Sequence, residues 1–148
     1  MVFDKILIAY DGSHGAERAL MKATELARLC AAQLVVLTVY RHHSMLEASL
    51  SMVRGSVEPG GNLDEAMRGT ARDAADYAKS HASDAGVARV SAFIKAGQPA
   101  RTIVAVAEEK GCDLIVVGSR GLGATEGYLL GSVSHKVTGL ADCPVMVV

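Results

Sequence analysis

"DLIVVGSRGLGATEGYLLGSVSHKV", Asp113–Val137, decides how this chain folds. It opens on four consecutive aliphatic residues, Leu114–Val117, the pattern of a strand covered on both faces. It closes on Val133 and Val137, which share one face of a helix. Between them stand five glycines: Gly118, Gly121, Gly123, Gly127 and Gly131. Glycine weakens helix and strand interiors, so it is not gathered here for stability. Something must approach this backbone so closely that side chains are excluded.

The same strand-then-helix rhythm extends outward in both directions. "KILIAY" (Lys5–Tyr10) reads as a buried strand, Asp11-Gly12-Ser13 as a turn, and Ser13 as a helix cap. Ala16, Leu20, Ala23, Ala27 and Cys30 then recur at helical spacing. "LVVLTVY" (Leu34–Tyr40) is a second buried strand. Asn62 and Glu65 resemble a capping pair. The helix they open carries Met67, Ala71, Ala74, Ala78, Ala82 and Ala85 as a small-residue stripe, and Gly86 can stop it. "VSAFIK" (Val90–Lys95) alternates apolar with polar residues, which predicts a half-covered or edge strand. Pro99 suits the first turn of a further helix, Ile103, Val104 and Ala107 its core face, and Gly111 its end. After the glycine-rich loop, Val133, Val137, Leu140 and Ala141 mark the last helix, and "PVMVV" (Pro144–Val148) the last strand.

The order βαβαβαβαβ predicts one α/β domain over residues 1–148, an open twisted parallel sheet of five strands with helices on both faces, Rossmann-like. Residues 41–61 break the rhythm and end in Pro59-Gly60-Gly61. They leave the second strand on the side where such sheets bind ligands, so a lid is expected there.

Composition narrows the function. The 148 residues are 50% apolar and 21% charged, with a net charge of −1. No basic face suggests nucleic acid, and no apolar run reaches the ~18 residues of a membrane span. The first residues do not read as a secretory signal, and Cys30, Cys112 and Cys143 read as buried free thiols. A cytoplasmic location is expected. His42 and His43 are adjacent, point opposite ways when extended, and are not read as metal ligands.

The glycine-rich loop delivers the chain into a helix starting near Gly131 or Ser132. A helix start offers free N–H groups and partial positive charge, and phosphate is its natural guest. Two phosphate motifs fail. Gly118-x4-Gly123 has P-loop spacing but continues with Ala124-Thr125, without the lysine. Gly121-Leu122-Gly123 begins a dinucleotide fingerprint, but Glu126 stands where the third glycine belongs.

Gly118-x2-Gly121-x9-Gly131-Ser132 does match a known pattern. It closely resembles the ATP-binding signature of the universal stress protein family. "GSVSHKV", the terminal "CPVMVV" and the N-terminal "KILIAYDGS" resemble the same family, so the likeness spans essentially the whole chain. The resemblance implies strand order 3-2-1-4-5 and a site for ATP or another adenine nucleotide, with or without magnesium or manganese. It implies that Asp11, with Tyr10 beside it, lies near the adenosine, and that Val39 contacts adenine. Gly118 and Gly121 would approach ribose and phosphates. Gly131, Ser132 and Val133 would bind phosphates, and Thr38 or Gly97 would line the pocket. Asp11 also suits a simple turn, Ser132 a plain N-cap, and Glu126 either a metal or solvent. The resemblance further implies a homodimer through Pro144–Val148.

The expected function is a nucleotide-dependent regulatory or stress-response module with at most slow ATP hydrolysis and with a further protein partner that the sequence does not identify. The alternative is a slow ATPase or adenylate-transferring enzyme. Its relatives place a Ser-Gly-Gly loop after the first strand, where this chain has "YDGSHGAER". A phospho-receiver would need an acceptor aspartate after the third strand, where this chain has "FIKAG". A family member that binds no nucleotide would not need the intact glycine signature.

Overall fold

A computed structural model describes residues 2–41, 63–120 and 130–148. Nine elements follow in chain order: β1 (Lys5–Ala9), α1 (His14–Cys30), β2 (Gln33–Tyr40), α2 (Leu63–Asp84), β3 (Val90–Ala96), α3 (Pro99–Glu109), β4 (Leu114–Val117), α4 (Ser132–Leu140) and β5 (Val145–Val147). All strand pairs are parallel, in the order β3-β2-β1-β4-β5. The expected topology is therefore the observed one.

Strand β1 holds the centre. Ile6, Leu7 and Ile8 are each fully buried, because successive side chains enter opposite layers and both layers are covered. One layer joins Ile6, Ile8, Leu34, Val36, Leu114 and Val116 to α1 and α2. Those helices meet the sheet through Ala16, Ala19, Ala23, Ala75, Ala78 and Ala82, whose small side chains permit close approach. The other layer joins Leu7, Val35, Leu37, Ile115 and Val117 to Ile103, Val106 and Ala107 of α3 and Val137 of α4. Each large aliphatic side chain buried this way contributes ~1.5–3 kcal/mol.

Strand β3 lies at one edge, and its residues are nearly all half-buried, as its alternating pattern predicts. Pro99 opens α3, and Gly111 turns the chain after it with φ +69°. Two expectations differ in detail. Leu140 was expected to face the core but is 48% exposed, because α4 ends there and buries only Ser134 and Val137. Met67 is half-exposed near the start of α2, whose buried residues are Ala71, Ala75, Ala78 and Ala82. The expected lid, residues 41–61, lies outside the described residues except for Arg41.

Candidate functional site

The carboxyl ends of β1 and β4 release the chain toward α1 and α4. The start of α1 is closed by its own side chains. Asp11 Oδ1 accepts the Ser13 N–H at 2.9 Å, and Ser13 Oγ accepts the Ala16 N–H at 3.1 Å. Helix α3 is closed likewise, with Gln98 Oε1 accepting the Arg101 N–H at 2.7 Å. Helix α4 differs: its cap is Gly131, which has no side chain to accept from the first-turn N–H groups. The Gly131 backbone (φ −63°, ψ 161°) is open to any residue, so its conformation does not require glycine. Without a capping side chain, the first-turn N–H groups, which carry the positive end of the helix, are not taken up by the cap residue.

The start of α4 is pinned to the end of β4. The Ser119 carbonyl accepts the Gly131 N–H at 2.6 Å and the Ser134 hydroxyl at 2.9 Å. Ser119 N–H donates to the Val148 carbonyl at 2.7 Å. The backbone of one residue, Ser119, thus ties the exit of β4, the entry of α4 and Val148 together. Ser134 is 2% exposed and also lies 3.1 Å from the Gly131 carbonyl oxygen. Sequence reading missed its positioning role. Its only signal is a hydroxyl two residues after Ser132 on the buried face of a short helix.

Gly118 has a structural reason of its own. A Cβ there would stand 2.7 Å from the Gly15 carbonyl carbon and 3.1 Å from the Ala16 nitrogen. A Cβ on Gly15 would in turn run into the Arg120 carbonyl oxygen. The two glycines form a clasp of backbone on backbone, holding the α1 start against the exit of β4. Gly97 is similar: with φ +153°, a Cβ would lie 2.6 Å from Thr102 Oγ1.

The remaining predicted residues divide between the two faces of the sheet. Val39 and Val133 pack on the α3/α4 layer. Tyr10 faces the other layer. Its hydroxyl bonds Glu17 Oε1, and its ring lies 5.9 Å from that of Tyr77. Burial first, then the hydrogen bond to Glu17 and its charge, raise the Tyr10 phenol well above its ordinary range. Only the backbone of Tyr10 therefore remains at the strand end. Thr38 is 5% exposed, its hydroxyl has no hydrogen-bond partner among the described residues, and alternation places it on the same side as Val36. Asp11 and Ser132 are exposed. Gly121 and Glu126 lie outside the described residues.

The arrangement offers an uncapped helix start, two valines on one face and an exposed carboxylate beyond the central strand. It is suited to hold an anionic ligand with an apolar part.

Residues 3–148 match the family model described as the universal stress protein family. The chain is 37% identical over 150 residues to universal stress protein YxiE of Bacillus subtilis (strain 168), covering 99% of each chain. Among solved structures, it resembles a universal stress protein in complex with cAMP (TM-score 0.69, 25% identity, 99% of this chain and 96% of that one). It also resembles the universal stress protein from Archaeoglobus fulgidus in complex with dAMP (TM-score 0.68, 26% identity, 99% and 98%). With matching strand order and a match along nearly its whole length, this chain belongs to the universal stress protein family.

Proposed function

We propose that this protein binds an adenine nucleotide, ATP foremost, and acts as a nucleotide-dependent regulatory module of the stress response. The carrying observation is the Gly131 cap, which brings no capping side chain to the first turn of α4, while α1 and α3 are closed by the side chains of their own caps. In this reading the N–H groups and hydroxyl of Ser132 and the N–H of Val133 take the phosphates. Val39 and Val133 flank the base, and Asp11 lies toward the nucleoside. Gly121 belongs to the phosphate loop by its place in the signature, and Gly118 holds that loop against α1. Magnesium or manganese would accompany a polyphosphate. The cAMP and dAMP held by similar proteins support the adenine class.

The groups gathered here are donors and apolar surfaces, which bind more readily than they react. Regulation with at most slow hydrolysis follows, and a homodimer through β5 is the assembly that the nucleotide would influence. Calorimetric titration with ATP is the test. Gly131→Val and Gly121→Val should each weaken binding at least ~tenfold, about 1.4 kcal/mol. Ser132→Ala should cost less, because backbone donors survive. Parent-like affinity in both folded glycine variants defeats the assignment. Phosphate release followed in the same samples measures turnover.

A further inference from the structure

Away from the nucleotide site, a cleft of about 260 Å³ opens between α3 and the segment that joins α4 to β5. Cys112 and Cys143 both line it, with Val104, Ala107, Ile115 and Ala141 as its apolar wall. The sequence gives no sign that these cysteines meet, since a whole βα unit separates them.

The sheet brings them together. Ile115 lies opposite Val145, and its N–H donates to the Pro144 carbonyl at 3.0 Å. Cys112 stands two residues before β4 and Cys143 two residues before β5, at the same end of two adjacent parallel strands. Adjacent strands lie ~4.8 Å apart, a separation of the order that a disulfide bridges, ~4.4–6.8 Å between Cα atoms. Side-chain direction agrees. Cys143, Val145 and Val147 all pack on the α3/α4 layer. Cys112, whose N–H bonds the Ala107 carbonyl at 2.8 Å, belongs to that layer too. The two are free thiols, Cys112 buried and Cys143 half-buried.

We propose that Cys112 and Cys143 are an oxidisable dithiol, a modification site that closes to a disulfide with a two-electron oxidant such as hydrogen peroxide. Cys143, the more accessible, reacts first. Its thiolate attacks one peroxide oxygen, the O–O bond breaks, and the departing hydroxide takes a proton to become water. The Cys112 thiolate then attacks the Cys143 sulfur. The S–S bond forms, the S–O bond breaks, and a second water leaves. The two sulfurs supply both electrons, and peroxide is reduced to two waters.

The surroundings make the pair slow at neutral pH. Burial first raises the Cys112 thiol to about 11, Asp113 adds to this, and Lys5 and Lys110 oppose it. Burial, Asp113 and Asp142 raise Cys143. Glu108 lines the same cleft. Oxidation should therefore accelerate as pH rises toward the thiol range, because the thiolate is the nucleophile.

The test treats the full-length protein with hydrogen peroxide, then alkylates under denaturing conditions and maps peptides by mass. The expected product is a linked Cys112–Cys143 peptide with Cys30 still alkylated, formed faster at pH 9 than at pH 7. Cys30→Ser should form the same link, and Cys143→Ser should not. Three alkylated cysteines, at a dose that fully oxidises dithiothreitol, overturn the proposal. So does a disulfide that runs through Cys30.

Discussion

Gly118 and Gly69 are the same residue in opposite circumstances. Gly118 meets the Gly15 backbone, whereas Gly69 lies exposed inside α2, where a Cβ would meet nothing within 4 Å among the described residues. Gly118→Ala should force the backbones apart and destabilise by ~1–3 kcal/mol. Gly69→Ala should stabilise by ~0.5–1 kcal/mol, through helix propensity alone. Urea midpoints moving in opposite directions are the expected result, and two equal midpoints would dissolve the clasp. Cys112 predicts a pH dependence. Its folded pKa, about 11, lies above the value near 9 of a free thiol, so the folded chain keeps a proton that the unfolded chain releases. Its contribution is complete below pH 9 and is lost as pH climbs toward 11. Stability should fall there by up to ~1.4 kcal/mol per pH unit, and Cys112→Ala should remove that share of the slope. Tyr10 acts in the same direction at higher pH. None of this was legible from residue identity. Gly15 reads as a poor helix residue until the Arg120 carbonyl is found against it.

Strand β5 is the element with the most open consequence. The Val148 N–H and the Pro144 and Val148 carbonyls face β4, so alternation turns the backbone groups of Val145 and Val147 outward. Met146 is 36% exposed and Leu140 48% exposed nearby. A strand edge of this kind is a template for a second copy. Val147→Pro removes one outward N–H and should shift the protein toward monomer in sedimentation velocity. An unchanged mass would count against the proposed dimer through β5. The strands themselves were readable because burial on both faces leaves a continuous apolar run, as in β1, β2 and β4. Strand β3 was readable as an edge from its alternation. The end of α4 was not, because Leu140 fits the helical period yet falls where the helix runs out of sheet to cover. The glycine signature raised the expectation of a ligand at this end of the sheet. It could not show that Gly118 also serves the chain, since that contact joins segments remote in sequence.

At the scale of the molecule, ligand and fold share one free energy. Nucleotide at a hundred times its dissociation constant should stabilise the folded state by ~2.7 kcal/mol. For a chain of this size, that is a rise in melting temperature of roughly 5–10 °C. Thermal denaturation with and without ATP checks it, and no shift at saturating nucleotide would contradict the proposed function. The central place of β1 has a further consequence, measured in time. It is the first strand made, yet one of its two neighbours is β4, paired from Ile6 to Leu114. At ~5–20 residues per second, a ribosome needs roughly 5–20 s to cross that interval. For that long, β1 can pair on one side only, and its other edge, flanked by fully buried aliphatics in the finished fold, waits open. Nascent chains stalled before Asp113 should recruit chaperones that chains carried past Val117 release, so the middle of the finished sheet is the most vulnerable place during its manufacture.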